Sequence, residues 1–78
     1  MNYDLALMAL EGLTRAPLSV AVEKQELIVE GESAGFKELA RLCLLLAGGQ
    51  DGTDGVELLS GVHLTAGSPP MRLRLRIQ

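Results

Sequence analysis

The stretch from Leu27 to Gly49 constrains the fold of this 78-residue chain more than any other part of the sequence. It begins with a short apolar run that is typical of a strand and that ends at Gly31. A leucine-rich segment follows, for which Ser33 is a suitable N-cap and the paired glycines 48 and 49 a suitable end. The sequence therefore predicts a strand, a glycine corner and a helix.

The helix in this stretch is apolar almost all round. Its predicted core face consists of Phe36, Leu39, Ala40, Cys43, Leu46 and Ala47. Leu42, Leu44 and Leu45 lie beside or opposite that face, so the helix must be covered on more than one side. The cover is either an N-terminal helix or a second subunit. Because so short a chain buries only about 60–65% of its unfolded surface, we expect a homo-oligomer, in the simplest case a dimer, with these three leucines at the subunit interface.

The preceding segment predicts a first helix and one strand of a hairpin. Asn2 is suited to cap the helix and Gly12 to end it. The predicted packing face of this helix consists of Tyr3, Ala6, Leu7, Leu10 and Leu13. After Pro17 the apolar residues alternate, with Leu18, Val20 and Val22 on one face of a strand. The residues around Lys24 and Gln25 favour a four-residue turn into the strand that starts at Leu27.

The last third of the chain is rich in short strand patterns. Val56–Leu59 and Val62–Thr65 are two candidate strands, and Met71–Ile77 alternates cleanly, with Arg72, Arg74 and Arg76 on one face. The predicted order is α-β-β-α-β-β. The fold class that this order indicates is α+β, a single domain over residues 1–78 with one or two helices packed on one face of a small antiparallel sheet.

The three arginines on one strand face allow two interpretations. Arginine side chains suit carboxylates and phosphates, so the face can form an anion-binding or acidic-partner surface. The other interpretation is a solvated sheet face, on which the arginines pair across the sheet with Glu26 and Glu30 of a neighbouring strand. RNA binding usually needs stacking aromatics beside the basic groups, and this face has none.

No arrangement of residues predicts catalysis, a cofactor or a metal site. His63 is placed in a strand without a catalytic neighbour, and Cys43 is expected to be a buried, inert thiol among leucines. Asp51 and Asp54 flank a glycine-rich turn that lacks the ligands of a calcium loop. The net charge of −3 argues against general nucleic-acid binding, and no apolar run has the length of a membrane span. With no signal-peptide pattern at the start, we expect a cytoplasmic protein that is not an enzyme.

The last fifty residues resemble the bacterial immunity protein 32 family. The matching positions are Leu27–Gly31, Gly35-Phe36, Leu39-Ala40, Leu42, Leu45–Ala47, Val62–Leu64 and Leu73–Ile77. This resemblance implies a small cytoplasmic protein that binds and neutralises a toxin by occlusion, and it implies no catalytic residues. The acidic balance of the chain suits a basic partner, and the contact candidates are Glu23, Glu26, Glu30, Glu32, Asp51 and Asp54. Two alternatives are a homo-oligomeric scaffold domain and an Sm-like RNA-binding domain that uses the arginine strand.

Overall fold

Two helices and two small antiparallel sheets form the architecture of the protein, which confirms a small α+β fold. The computed structural model describes residues 1–49 and 54–76, so the expectations for Asp51 and Ile77 lie outside the described residues. The elements in chain order are α1 (Tyr3–Arg15), β1 (Ser19–Glu23), β2 (Glu26–Glu30), α2 (Ser33–Ala47), β3 (Gly55–Leu58) and β4 (Met71–Arg74).

Helix α1 begins as predicted and ends later than predicted. The side-chain oxygen of Asn2 accepts a hydrogen bond from the Leu5 N–H at 3.1 Å, which is the expected N-cap. Gly12 does not end the helix; its carbonyl accepts the N–H of Ala16, and the chain turns away only before Pro17. The buried side chains of α1 are Ala6, Ala9 and Leu13. Tyr3 and Leu7 were expected on this face but are mostly exposed.

Strands β1 and β2 form the predicted hairpin with a tighter turn than expected. Glu23 pairs with Glu26, so only Lys24 and Gln25 connect the strands. Both connecting residues have positive φ angles, 50° and 67°, which is the backbone that a two-residue I′ turn requires. The prediction of a four-residue turn was wrong because Lys24 and Gln25 adopt a backbone conformation that asparagine and glycine usually favour.

Helix α2 is rotated relative to the predicted orientation. Its N-cap is Glu32 rather than Ser33, and its buried residues are Gly35, Leu42 and Leu46. Phe36 is 41% exposed, although it was the reference for the predicted core face. A Cβ at Gly35 would lie 2.5 Å from the Ala16 carbonyl oxygen, so only glycine lets this side of α2 approach the end of α1 so closely. That close approach turns the Gly35 side of the helix inward.

This rotation corrects the predicted roles of Leu42 and Cys43 on α2. Leu42 is fully buried within this chain, so it is not available as a subunit contact. Leu45 is half-buried against the core, and Leu44 is 74% exposed. Cys43 was expected to be buried and is exposed instead.

The four strands form two separate sheets rather than the single sheet that the sequence predicts. Within residues 1–49 and 54–76, strand β3 pairs with β4 alone and β1 with β2 alone. Between the two sheets, the predicted strand Val62–Thr65 is a turn. The Leu59 carbonyl accepts the N–H groups of three residues from 62 to 64, and Gly61 adopts a φ of 76°. Leu64 makes isolated bridges there, one of them to Leu18 of the chain leading into β1.

Leucines from three of these elements and from two connecting segments meet in one hydrophobic core. The side chains with the least exposure are Leu13, Leu18, Leu42, Leu58 and Leu64. They come from α1, from the residue before β1, from α2, from β3 and from the turn between the sheets. The core thus uses both helices, while the distal half of the β1–β2 hairpin extends beyond it.

Candidate interaction surfaces

The arginine strand lies at the surface and is paired differently from the prediction. Strand β4 neighbours β3, so Arg72 lies opposite Glu57, and its Nη2 is 3.0 Å from Glu57 Oε1. The predicted pairing of the arginines with Glu26 and Glu30 is wrong, because β2 belongs to the other sheet. Both partners of the observed ion pair are about half exposed, and such pairs contribute little to stability. The side chains of Arg74 and Arg76 are exposed.

The end of the β1–β2 hairpin carries an exposed apolar pair next to charged residues. Val22 and Leu27 lie opposite each other and are 69% and 66% exposed. Glu23 and Glu26 follow them at the turn, and all residues from 22 to 27 are exposed. The alternation of the strands assigned Val22 and Leu27 to the core side. It gave no sign that the hairpin extends past the core.

The two edges of this hairpin differ. On the β1 side, the Val20 N–H donates to the buried Ser68 hydroxyl oxygen at 3.0 Å, and the Thr65 N–H donates to the Leu18 carbonyl at 2.8 Å. On the β2 side, no other strand in the described part of the chain pairs with it. Every second residue of an antiparallel strand points its N–H and C=O away from its partner, and Val29, opposite Val20, is such a residue. The outer edge of β2 is therefore open.

A second apolar surface lies between the two helices; we call it the α1–α2 groove. It is a shallow groove of about 360 Å³ lined by Leu5, Met8, Ala9, Arg41, Leu44 and Leu45. Leu5, Met8 and Leu44 are 47%, 63% and 74% exposed. In the sequence, Leu5 and Met8 already fall off the predicted packing face of the first helix, and this was the signal for a second apolar face.

Asp54 is a structural residue rather than a contact residue. It is buried, and its carboxylate accepts hydrogen bonds from the Met1 ammonium at 3.2 Å and from the Tyr3 hydroxyl at 3.0 Å. The carboxylate thereby joins the start of α1 to the start of β3. Its predicted role as a contact candidate for a partner is wrong for that reason, because its oxygens face the interior.

His63 lies in the turn between the sheets, and its ring is already engaged. The Leu59 N–H donates to its Nδ1 at 3.1 Å, so this nitrogen is an acceptor and the proton of the neutral ring is on Nε2. Burial of the ring lowers the pKa of His63 below its usual value of 6.5. Within residues 1–49 and 54–76, no group of three His, Cys, Asp or Glu side chains is placed to hold a metal ion.

Comparisons with known proteins give no match: neither a protein-family model, nor a curated protein, nor a solved structure is similar to this chain at a significant level. The resemblance to the immunity protein 32 family therefore stays a prediction. Neither helix of the described residues has the length and apolar character needed to cross a bilayer.

Proposed function

We propose that this protein is a non-enzymatic protein-binding module that neutralises a protein partner by occlusion, in the manner of an immunity protein. The contact surface in this proposal is the exposed end of the hairpin. The observation that carries the proposal is the pair Val22 and Leu27, two large apolar side chains that lie opposite each other on the hairpin and are each about two-thirds exposed. Exposed apolar groups rimmed by polar residues are characteristic of protein interfaces.

The charges on the hairpin indicate the kind of partner. Glu23, Glu26, Glu30 and Glu32 are exposed on or just after the hairpin, and Lys24 is the only basic residue among residues 19–32. A basic surface, such as that of a nuclease toxin, would be attracted to these carboxylates, and the attraction would raise the association rate and weaken with salt.

The open edge of β2 also supports the hairpin as the contact surface. An extended segment of the partner would pair with the N–H and C=O groups that Val29 points outward. If two copies of β2 paired antiparallel about Ile28, Glu26 would lie opposite Glu30 of the second copy, and like charges directly opposite destabilise a sheet. A foreign segment with basic residues avoids this repulsion.

The proposal is tested by affinity capture from a lysate of the source organism with the full chain as bait. Matched baits carry Leu27→Asp or Glu26→Lys. Both positions are exposed, so each variant is expected to keep its circular-dichroism spectrum and unfold within about 0.5 kcal/mol of the wild type. We expect one basic protein that is captured by the wild type and at least tenfold less by each variant, and whose activity the wild type inhibits once both are purified.

The control bait is Leu7→Asp, which changes a leucine on α1 that is 58% exposed and lies away from the hairpin. It should capture the partner as well as the wild type. If no captured protein depends on Leu27 and Glu26, or if the purified partner stays fully active in the complex, the proposed function is wrong.

A further inference from the structure

The α1–α2 groove is an apolar surface feature that the hairpin proposal does not use. The two helices that form it run antiparallel, because Leu5 and Met8 line it together with Leu44, whereas Gly12 and Arg15 near the end of α1 lie beside residues 32–38 near the start of α2. Three of its lining side chains are about half exposed or more. Leaving such side chains in water forgoes the free energy that burial of their apolar surface would contribute.

The face around the groove has the size of a small interface. At 1.5 Å per residue, helices of 13 and 15 residues are about 20 Å long, and two adjacent helices are roughly 20 Å wide. The resulting projected area of about 400 Å² lies below the roughly 800 Å² per partner of a standard stable complex. A complex through this face is therefore expected to be weak, with a dissociation constant in the micromolar range.

The charges beside the groove differ in sign between the two helices. On α1, Asp4 and Glu11 lie at i−4 and i+3 from Met8, so they share its stripe, and both are exposed. On α2, Lys37 lies seven residues before Leu44 on the same stripe, and Arg41 lies between them. Lys37 is exposed, and the side chain of Arg41 is 67% exposed although it also bonds to Glu38. One side of the groove is thus acidic and the other basic.

This arrangement is complementary to itself under one particular symmetry. A two-fold axis parallel to the helices places α1 of one copy over α2 of the other and leaves the height of every residue along the helices unchanged. Because Gly12 lies beside Glu38 within one chain, the same height relation brings Glu11 of one copy opposite Lys37 of the other. A two-fold axis perpendicular to the helices would instead place α1 of one copy over α1 of the other. Asp4 and Glu11 would then face the acidic side chains of the second copy, and these carboxylates repel each other.

We infer that the α1–α2 groove binds a second copy of this chain and that the dimer is a four-helix layer with α1 of each subunit packed on α2 of the other. The apolar centre consists of Leu5, Met8 and Leu44 from both subunits. The rims consist of two symmetry-related contacts between Glu11 and Lys37. The hairpins remain outside this interface, so the inference does not depend on the proposed function.

The test is sedimentation equilibrium of the full chain between about 1 and 500 µM. We expect a reversible monomer–dimer equilibrium, and we expect Leu44→Glu to weaken it at least tenfold. The matched control is Leu7→Glu, because Leu7 on α1 lines a different groove. This variant should dimerise with the dissociation constant of the wild type. All of these positions are exposed, so circular dichroism should show the same fold for each variant.

The orientation of the two subunits is tested by charge reversal. Glu11→Lys and Lys37→Glu should each weaken the dimer several-fold, and the double variant should restore most of the wild-type affinity, because each contact then has its charges exchanged. A wild type that stays monomeric at 500 µM would overturn the inference. Dimerisation that is insensitive to Leu44→Glu, or a double variant that is weaker than both single variants, would also overturn it.

Discussion

Leu42 is the residue at which helix α2 enters the core, and its truncation tests the orientation of that helix. The side chain is fully buried, so Leu42→Ala should leave a cavity, at a cost of about 2–5 kcal/mol. At about 0.05–0.15 kcal/mol per residue, a domain of 78 residues has a total unfolding free energy of about 4–12 kcal/mol. We therefore expect this variant to lose a large part of its stability.

The measurement is urea denaturation followed by circular dichroism, at a concentration low enough to keep the chain monomeric. With a slope of about 1 kcal/mol per molar urea for a small domain, the midpoint of Leu42→Ala should fall by about 2 M or more. The matched control is Leu44→Ala, two residues further along the same helix and 74% exposed, which should change stability by less than about 0.5 kcal/mol. The opposite result, a large loss for Leu44→Ala and a small one for Leu42→Ala, would refute the described orientation of α2.

Two further predictions concern single side chains. Because Cys43 is exposed, a thiol reagent should label it in the folded protein within about tenfold of its rate in the urea-unfolded chain; protection of a thousandfold would show that it is buried. The pKa of His63, measured by NMR titration, should lie below 6.5. The unfolded chain then takes up the proton first, so the unfolding free energy should be constant above about pH 6.5 and fall as the pH drops toward the folded pKa. His63→Asn, which keeps an acceptor for the Leu59 N–H, should lose this pH dependence; a folded pKa above 6.5 would contradict the reasoning.

The elements that local patterns predict well are those whose signals lie within a few residues. The cap at Asn2, the alternation of the hairpin and the glycines after α2 act over one or two turns of chain, and a small α+β fold followed from them. The rotation of α2 could not be predicted in this way, because a helix that is apolar all round has no preferred inward face. The contact between Gly35 and the Ala16 carbonyl determines its orientation, and these residues are far apart in the sequence.

The candidate surfaces also differ in whether nearby residues in the sequence could predict them. Leu44 was recognised as surplus to the core, because any single face of α2 leaves some leucines uncovered. Val22 and Leu27 were not recognised, because alternation shows which side of a strand is apolar but not how far the core extends beneath it. The pairing of Arg72 with Glu57 was missed since it depends on which strands are neighbours, and the turn at residues 59–64 separates the two sheets.

The buried Ser68 has a consequence for polymerisation. Its hydroxyl and the backbone of the same loop occupy the hydrogen-bonding groups along the first half of β1, so this edge of the hairpin is closed by a segment that is not itself a strand. A chain that adds to β2 therefore finds no matching open edge on β1 from which the next molecule could continue. Growth of a fibre through this hairpin would stop after one addition, so the open edge of β2 does not make the protein a template for its own aggregation.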